Sequence, residues 1–370
     1  MKGEKTMVDP AGKTAVLDDA EARAARDPRG MLRRVVDLPE QLQEAAAIGA
    51  AVQPKLPQEI KHVLILGMGG SAIGGDLVKA LVEAECRVPI AVSREYDVPA
   101  FVGPHTLVIA SSYSGNTEET LSACRAAAER GAAVAAVTTG GVLAEWASAK
   151  GWPLVRLPQG LAPRAALGYS FVPLLKILEA AGIVSPKDGQ LQEAVGVLKA
   201  MRDELGPDAP VQSNAAKQLA ARLFGKLPLV YGTGGWRSAA AYRWKCQINE
   251  NAKAPAWCNT FPELNHNETV GWEVPQAVTG LVELVVLRDR ADSPRINRRI
   301  EVTVDIMRPA IAGVTEVWSR GESELARLLS LTYFGDFTSV YLALLNGVDP
   351  TPVRVIDRLK AELATLGPIA

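Results

Sequence analysis

Two tandem α/β units, each a doubly wound parallel sheet with helices on both faces, are the fold class that the sequence predicts. Apolar runs of strand length alternate with helix-length segments, as in "KHVLILGMGGSAIGGDLVKALVEA" and "HTLVIASSYSGNTEETLSACRAAAERG". Continuous apolar strands are typical of parallel sheets that are buried on both faces. The pattern restarts at Leu227, where Gly232-Thr-Gly234-Gly235 takes the place that Gly67-Met-Gly69-Gly70 has in the first unit. We therefore expect two three-layer units with additional N- and C-terminal helices.

The remaining elements follow in order. Residues 1 to about 20 are polar and are expected to be loose, and "DPRGMLRRVVDLPEQLQEAAAIGAAV" predicts one or two helices on the first unit. "VPIAVSREYDVP" supplies a second strand, "AAVAAVTTGGVLAEWASAKG" a further strand, turn and helix, and "APRAALGYSFVPLLKILEAAGI" a closing helix. "LVELVVLRD" and "VTEVWSRG" continue the second sheet, and "LARLLSLTYFGDFTSVYLALLNGV" closes it.

The expected domain boundaries follow from these elements. They are an N-terminal extension over residues 1–55, a first unit over 56–184, a helical linker over 185–210, a second unit over 211–348 and a C-terminal helix over 349–370. The last helix, in "DPTPVRVIDRLKAELATL", is expected to be capped by Asp349, with Pro350 in its first turn.

The composition excludes several classes of function. The 370 residues are 48% hydrophobic and 22% charged, and 40 basic residues against 41 acidic ones leave no field to attract nucleic acid or an anionic membrane. No apolar run has the length of a membrane span. Four scattered cysteines and three histidines suggest neither a disulfide framework nor a metal centre. We expect a cytoplasmic protein without metal or cofactor.

The first glycine turn allows two ligands. In "GMGGSAIGGD", Gly67, Gly69 and Ala72 partly satisfy the dinucleotide fingerprint, and Glu83 or Glu85 could serve as its ribose-binding acid. The glycines alone are about equally compatible with a tight strand-to-helix turn that binds no ligand.

The turn after the next predicted strand favours a phosphate monoester. "SYSGNTEET" has more hydroxyls than helix capping needs, and a dinucleotide site held mainly by backbone has no use for Ser112, Ser114 and Thr117. Hydroxyls and helix N-terminal N–H groups together make a small donor-rich cup. We therefore expect Ser71, Ser112, Ser114 and Thr117 to surround one phosphate, with Gly70 and Gly69 in the adjoining turn.

These motifs resemble a known family. "GMGGSAIGGD" with "SYSGNTEET" resembles the sugar isomerase (SIS) domain. "KCQINENAK", "FPELNHNE" and "GVDPTPVRVIDRLK" together resemble the bifunctional phosphoglucose/phosphomannose isomerases, with the motifs in order from about Met31 to Leu366. The resemblance implies a metal-free aldose–ketose isomerase that acts on hexose 6-phosphates as a homodimer with shared active sites.

The resemblance also implies roles for single residues. Glu250 would be the base that moves a proton between C1 and C2, and Arg164 the cation that stabilises the enediolate. His266, contributed by the neighbouring subunit, would open the sugar ring together with Lys360. Thr351 is a candidate for the small residue that leaves room for rotation about C2–C3, so that the base can reach the proton of either epimer.

Other interpretations remain open from the residues alone. Glu250 could be an exposed helix-end glutamate, His266 a structural histidine, Lys360 a solvated lysine and Arg164 a residue without function. Glu263, Glu268 and Glu273 are rival candidates for the base. A non-catalytic SIS-type sugar-phosphate sensor, or an isomerase of another phosphosugar, would share the same cup.

Overall fold

The first half of the chain forms a parallel sheet in the computed structural model, which describes residues 10–51, 59–365 and 367. Its five strands are β1 (His62–Leu66), β2 (Ile90–Ser93), β3 (Thr106–Ser111), β4 (Ala133–Thr138) and β5 (Leu154–Arg156). They lie in the order β2-β1-β3-β4-β5, and every neighbouring pair is parallel.

A second parallel sheet follows in the other half. Its four strands are β6 (Leu227–Gly232), β7 (Trp257–Thr260), β8 (Val282–Arg288) and β9 (Gly313–Trp318), in the order β7-β6-β8-β9. The predicted α/β class with two tandem parallel sheets is thus confirmed. The domain boundaries given above remain a prediction.

Helices flank both sheets. The α-helices are α1 (Pro10–Asp18), α2 (Ala20–Arg26), α3 (Met31–Val36), α4 (Leu38–Ala50), α5 (Gly70–Val82), α6 (Glu118–Glu129), α7 (Gly141–Lys150), α8 (Leu167–Ala180), α9 (Asp188–Leu205), α10 (Ala215–Leu223), α11 (Trp236–Ala252), α12 (Gln276–Thr279), α13 (Pro294–Met307), α14 (Glu324–Asn346) and α15 (Arg354–Ala364). Short 3₁₀ helices cover Pro163–Ala165, Glu263–His266 and Glu268–Trp272.

The central strands are buried on both faces, which explains their continuous apolar sequence. Val63 and Ile65 of β1 point into one core, and Leu64 and Leu66 point into the opposite one. Helices α6 and α7 cover the outer core, while α5, α8, α11 and α14 share the inner core between the two sheets. Residues carried by these inner helices can therefore meet across the two halves of the chain.

Helix α14 is buried along almost its whole length. All residues from Leu325 to Leu345 are buried, and the helix packs against α9, α10 and α11. By length and composition alone it could cross a membrane, but its apolar window is wholly buried inside the protein. We therefore interpret α14 as a core helix.

The N-terminal prediction is wrong where the structure describes it. Residues 10–26, expected in part to be loose, form α1 and α2, and Leu17 is fully buried. Asp19 caps α2 by accepting the N–H groups of Glu21 and Ala22. Residues 1–9, and the end of the predicted helix at Val52, lie outside the described residues.

An ion pair fastens α1 to the segment before the second sheet. The Asp18 carboxylate lies 2.9 Å from Nζ of Lys217 and accepts the N–H of Val211 at 3.1 Å. Lys217, whose side chain is fully buried, also donates to the carbonyls of Pro207 and Ala209. Burial alone would raise the pKa of Asp18, but the hydrogen bonds from Lys217 and Val211 outweigh it and lower that pKa.

We expect Asp18→Asn to lower the free energy of unfolding by about 1–3 kcal/mol, because Lys217 loses its only ion-pair partner among the described residues. A carboxylate with a lowered pKa stabilises the fold above its unfolded pKa of about 3.9, and this contribution is lost as the pH falls through the folded value. Denaturant unfolding between pH 7 and 3 should therefore show the wild type and the variant converging in acid. Asp19→Asn is the control, since asparagine caps a helix as well as aspartate; an equal loss in both variants would contradict the prediction.

Candidate active site

Arg164 connects three distant segments of the chain. It lies in the 3₁₀ helix before α8 and is buried. Its Nε donates to Oδ1 of Asn251 at 2.7 Å, and one terminal nitrogen donates to the carbonyls of Pro350 and Thr351 at 2.6 and 2.7 Å. The other terminal nitrogen lies 3.5 Å from Oε2 of Glu250. The first unit, α11 and the C-terminal segment therefore meet at one guanidinium.

The hydrogen bonds of Arg164 fix which of its donors remain available. A guanidinium has five N–H donors, and Asn251, Pro350 and Thr351 take three of them. The second terminal nitrogen donates to Oε2 of Glu250 at 3.5 Å, and its other N–H is the donor that is left for a ligand. Burial lowers the pKa of Arg164, against the opposing effect of Glu250 and Asp349.

A buried layer behind Arg164 holds it in place. The carbonyl of Arg164 accepts a hydrogen bond from Arg243 at 3.1 Å, and Arg243 lies 2.6 Å from the buried carboxylate of Asp336. On the other side, Nδ2 of Asn251 donates to Ser339 at 2.9 Å. Asn251, Arg243 and Asp336 were not predicted from the sequence. A single acid inside the apolar helix α14 was a signal for Asp336.

Glu250 lies in the last turn of α11 with 29% of its side chain exposed. It borders a cavity of about 750 Å³ that is also lined by Asn249, Lys253, Ala254, Pro255, Val348, Asp349 and residues 352–356. Lys253 adopts a left-handed backbone conformation with φ of 55° and donates to the carbonyl of Pro350 at 3.1 Å. The C-terminal segment is thus fastened next to the carboxylate by two cations, Lys253 and Arg164.

The rival glutamates are placed differently. The carboxylate of Glu268 is bound by the hydroxyl of Tyr231 and the side-chain amide of Asn259. Glu263 and Glu273 are exposed. Of the four candidates, Glu250 is the one paired with a buried cation.

The four hydroxyl residues that are predicted to bind a phosphate lie at the carboxyl edge of the first sheet. The buried hydroxyl of Ser71 accepts the N–H of Tyr113 at 3.1 Å, which links the turns after β1 and β3. The hydroxyls of Ser112 and Thr117 are 2.8 Å apart, and Ser114 is exposed at the rim. The structure therefore brings these four hydroxyl residues into two adjoining turns.

The first glycine turn packs directly on the backbone of Arg164. Gly69 has a φ of 53° and open space around it, so it permits the turn sterically. A Cβ on Gly70 would lie 2.7 Å from the carbonyl carbon of Pro163 and 2.9 Å from the nitrogen of Arg164. The cup, Arg164 and Glu250 are therefore contiguous.

We expect Gly70→Ala to reduce turnover by about 10-fold or more, because the added methyl displaces the backbone that carries Arg164, and misplaced catalytic groups are costly. Steady-state kinetics on the hexose 6-phosphates that the resemblance implies measure the effect. Gly234→Ala is the matched control, since a Cβ there meets nothing within 4 Å. Unchanged kinetics in Gly70→Ala would contradict the packing described above.

The second glycine turn is filled by the protein's own charges. At the carboxyl edge of the second sheet, the hydroxyl of Thr233 donates to Asp292 at 2.9 Å, and Arg237 pairs with the same carboxylate at 3.1 Å. Asp289, also buried, pairs with Arg327 at 3.0 Å. Two carboxylates therefore occupy the place that corresponds to the phosphate cup of the first unit.

Three predicted residues are not assembled with Glu250 through their side chains. His266 is exposed at the end of its 3₁₀ helix, and Lys360 is exposed on α15. Within the described residues neither makes a side-chain hydrogen bond or ion pair. Thr351 contacts Arg164 only through its carbonyl, and its buried hydroxyl has no hydrogen-bond partner in the described part of the chain.

The predicted cap of the last helix is wrong. Helix α15 begins at Arg354 after Val353, which makes no side-chain cap. Asp349 instead accepts the N–H of Thr351 at 2.9 Å and so shapes the turn that presents the two carbonyls to Arg164.

Solved structures share this fold along most of the chain. A hypothetical protein from Thermus thermophilus has a TM-score of 0.72 at 18% identity, covering 96% of both chains. The C-terminal domain of glucosamine-fructose-6-phosphate aminotransferase from Francisella tularensis has a TM-score of 0.67 at 16% identity, covering 86% of this chain and 97% of that one. At these identities the likeness concerns the fold alone. A family model described as the bacterial phospho-glucose isomerase C-terminal SIS domain matches residues 212–363, so the part of the chain that holds the second sheet is of the SIS class.

Curated relatives narrow the class. A bifunctional phosphoglucose/phosphomannose isomerase from Caldicellulosiruptor bescii is 48% identical over 337 residues, which are 91% of this chain and 99% of the relative. The protein of that name from Thermoplasma acidophilum is 38% identical, covering 82% of this chain and 90% of the relative. The chain belongs to the bifunctional phosphoglucose/phosphomannose isomerase family. A D-glucosamine-6-phosphate 4-epimerase from Sulfolobus acidocaldarius is more distant, at 29% identity over 83% of this chain and 90% of the relative.

Proposed function

We propose that the protein interconverts fructose 6-phosphate with glucose 6-phosphate and mannose 6-phosphate, through a cis-enediol and without a metal ion. The observation that carries this proposal is the buried guanidinium of Arg164, which has one terminal nitrogen left to face the carboxylate of Glu250 at 3.5 Å. An enediolate forms when a base removes a proton from carbon, and its negative oxygen needs a nearby cation. A carboxylate and a guanidinium at this separation can fill these two roles.

Glu250 acts as the base. Its carboxylate removes the proton from C2 of the open-chain aldose, and the electron pair moves through C1 onto the carbonyl oxygen. The proton of the C2 hydroxyl passes to the C1 oxygen, and the protonated Glu250, which is partly exposed and exchanges some of its protons with solvent, delivers a proton to C1 as the C2 carbonyl of the ketose forms. The second terminal nitrogen of Arg164 donates to the oxygen that becomes negative, so charge is stabilised by a group that is already fixed.

The hydroxyl cup binds the phosphate at the other end of the substrate. Ser71, Ser112, Ser114 and Thr117 provide neutral donors beside the first glycine turn. Gly70, whose Cα faces Pro163, sets the distance between this cup and Arg164. Contacts to the phosphate hold the sugar over the base and so contribute to turnover as well as to affinity.

Ring opening is assigned to His266 of the partner subunit together with Lys360. The exposure of both residues in a single chain is compatible with a site completed by a second copy. The unpartnered hydroxyl of Thr351, next to Arg164, is a candidate contact for the sugar near C2 and C3. Cytoplasmic location and the absence of a cofactor remain predictions from the sequence.

The test is an assay of the purified protein on both aldose phosphates, with and without a chelator. We expect conversion of both to fructose 6-phosphate, undiminished by the chelator. Binding of hexose phosphates without turnover would favour the sensor. Turnover of an amino-sugar phosphate alone would show that the protein is an isomerase of another phosphosugar.

Subunit mixing tests the shared site. Glu250→Gln mixed with His266→Ala should recover about one quarter of wild-type activity, because half of the dimers are mixed and each has one intact site. Glu250→Gln mixed with Arg164→Lys is the control and should recover nothing, since Arg164 and Glu250 belong to the same chain. The rates are compared after the variants have been unfolded and refolded together; no recovery in the first mixture would contradict cross-subunit assembly.

A further inference from the structure

Lys253 has a backbone conformation that favours glycine. Its φ of 55° and ψ of 30° lie in the left-handed region, directly after the end of α11. Among the described residues it is the one non-glycine residue with a positive φ. Helices α7 and α14 end in the same conformation, and both use glycine there, Gly151 and Gly347. Glycine adopts this conformation without a steric penalty, whereas a residue with a Cβ does not. The chain therefore keeps a lysine at a position where glycine is the usual residue.

The side chain of Lys253 reaches two backbone carbonyls. Its Nζ donates to the carbonyl of Glu250, three residues earlier in α11, and to the carbonyl of Pro350 at 3.1 Å. The carbonyl of Pro350 also accepts a hydrogen bond from one terminal nitrogen of Arg164 at 2.6 Å. One ammonium group therefore links the backbone of the proposed base to the acceptor that holds the proposed cation.

The two asparagines beside Glu250 in "NENAK" are also bound. Nδ2 of Asn249 donates to the carbonyl of Ala254 at 2.8 Å. Oδ1 of Asn251 accepts a hydrogen bond from Nε of Arg164 at 2.7 Å. The end of α11 is thus fixed to the following loop and to the guanidinium, and the lysine of the motif adds the C-terminal segment to this set.

The arrangement has a second cost, because Lys253 and Arg164 bring two positive charges to one carbonyl. Partial burial and the nearby charge of Arg164 lower the pKa of Lys253, against the opposing effect of Asp349 and Glu250. Strained backbone and crowded charges are typical of functional positions. The placement of Lys253 therefore points to the reaction and not to the stability of the fold.

We propose that Lys253 is a positioning residue for the isomerisation, because it sets the distance between the Glu250 carboxylate and the Arg164 guanidinium. This rests on the proposed function, in which the pair removes the proton and stabilises the enediolate. The two groups are 3.5 Å apart and belong to residues separated by 86 positions in sequence. The ammonium holds the backbone on both sides, so the pair is already arranged when substrate binds.

Lys253→Gly separates positioning from stability. It removes the ammonium and supplies the residue that the backbone favours. We expect the turnover number with fructose 6-phosphate to fall by about 10- to 100-fold, since small misplacements of catalytic groups are costly. The melting temperature should stay the same or rise, because the residue is exposed and its backbone strain is relieved. Wild-type turnover would overturn the proposal, as would a fall in turnover accompanied by a lower melting temperature.

Gly151→Lys is the matched control. It makes the reverse exchange in the same backbone conformation after α7, where a Cβ meets nothing within 4 Å. It should lower the melting temperature and leave turnover unchanged. Lys253→Met keeps the strained backbone and an unbranched side chain but removes the donors. Its turnover should fall as far as that of Lys253→Gly, and near-normal turnover in Lys253→Met would contradict the positioning role.

Affinity measurements give a readout that a purely structural role would not change. The inhibitor 5-phosphoarabinonate has a carboxylate where the enediolate has its negative oxygen, whereas fructose 6-phosphate is uncharged at that end. Lys253→Gly should weaken binding of the inhibitor by about 10- to 100-fold and that of fructose 6-phosphate by less than about 3-fold, because the arranged pair acts on the charged state. Equal weakening of both ligands would show that Lys253 only shapes the pocket, and would overturn the proposal.

The assay of the wild-type protein separates this proposal from the proposed function. Turnover in the wild type that persists in Lys253→Gly and Lys253→Met would remove the positioning role and leave the proposed function standing. Absence of turnover in the wild type would remove the proposed function, and the positioning role with it.

Discussion

Glu250→Gln is expected to reduce the turnover number by about 10²–10⁴-fold, the range that a positioned general base contributes. Glutamine has nearly the same shape and keeps an oxygen that can accept from Arg164, but it cannot take a proton from carbon. The dissociation constant for fructose 6-phosphate should change little, because the phosphate cup is untouched. Calorimetric titration and steady-state kinetics on the same samples measure the two quantities separately.

The control is Glu263→Gln, which removes one of the rival carboxylates from an exposed position. It should leave turnover at the wild-type level. Proton exchange in heavy water adds a direct readout, since the wild type should introduce deuterium at C1 or C2 during turnover and Glu250→Gln should not. Near-normal rates or exchange in Glu250→Gln would show that Glu250 is not the base. Glu263, Glu268 and Glu273 would then be the remaining candidates.

The units and their turns could be predicted because their signals are local. A buried parallel strand is a short apolar run, and both helices that follow a glycine turn are preceded by a glycine at positive φ, Gly69 and Gly235. Strands β5 and β7 were missed because they have three and four residues and lie at sheet edges. In β7, Trp257 is half exposed and no residue is buried, so its sequence has no core pattern.

The candidate site could be predicted only in part, because its contacts join residues far apart in sequence. Arg164 is separated from Glu250 by 86 positions and from Pro350 by 186. A periodic pattern in the sequence cannot predict a contact between such distant residues. Only the family resemblance indicated that these residues belong to one site. Asn251 stood beside Glu250 in the quoted motif, yet its bond to Arg164 could not be read from the sequence.

The N-terminal helices show a different limit. The polar composition of residues up to about 20 favoured a loose segment, whereas the buried Leu17 and the pair of Asp18 with Lys217 order it. Lys217 is 199 positions away from Asp18. Long-range ion pairs of this kind are set by tertiary packing, so local composition did not predict them.

Arg164→Lys tests whether the fixed guanidinium, and not merely a positive charge, is required. Lysine keeps the charge but has three donors on one nitrogen, so it cannot serve Asn251, Pro350, Thr351 and Glu250 together. We expect the turnover number to fall by about 10²–10³-fold, the loss seen when a donor to a developing oxyanion is removed. The free energy of unfolding should fall by about 1–3 kcal/mol, because buried acceptors lose their partners.

Arg237→Lys separates the catalytic effect from the structural one. Arg237 is also a largely buried arginine beside a glycine turn, but it pairs with Asp289 and Asp292 at the second sheet. Its replacement should lower stability while turnover stays near the wild-type level. In Arg164→Ala, added guanidinium at millimolar concentration should restore part of the turnover, because the cavity left by the side chain retains its acceptors. Equal losses of turnover in Arg164→Lys and Arg237→Lys, with no rescue by guanidinium, would show that Arg164 only holds the fold together.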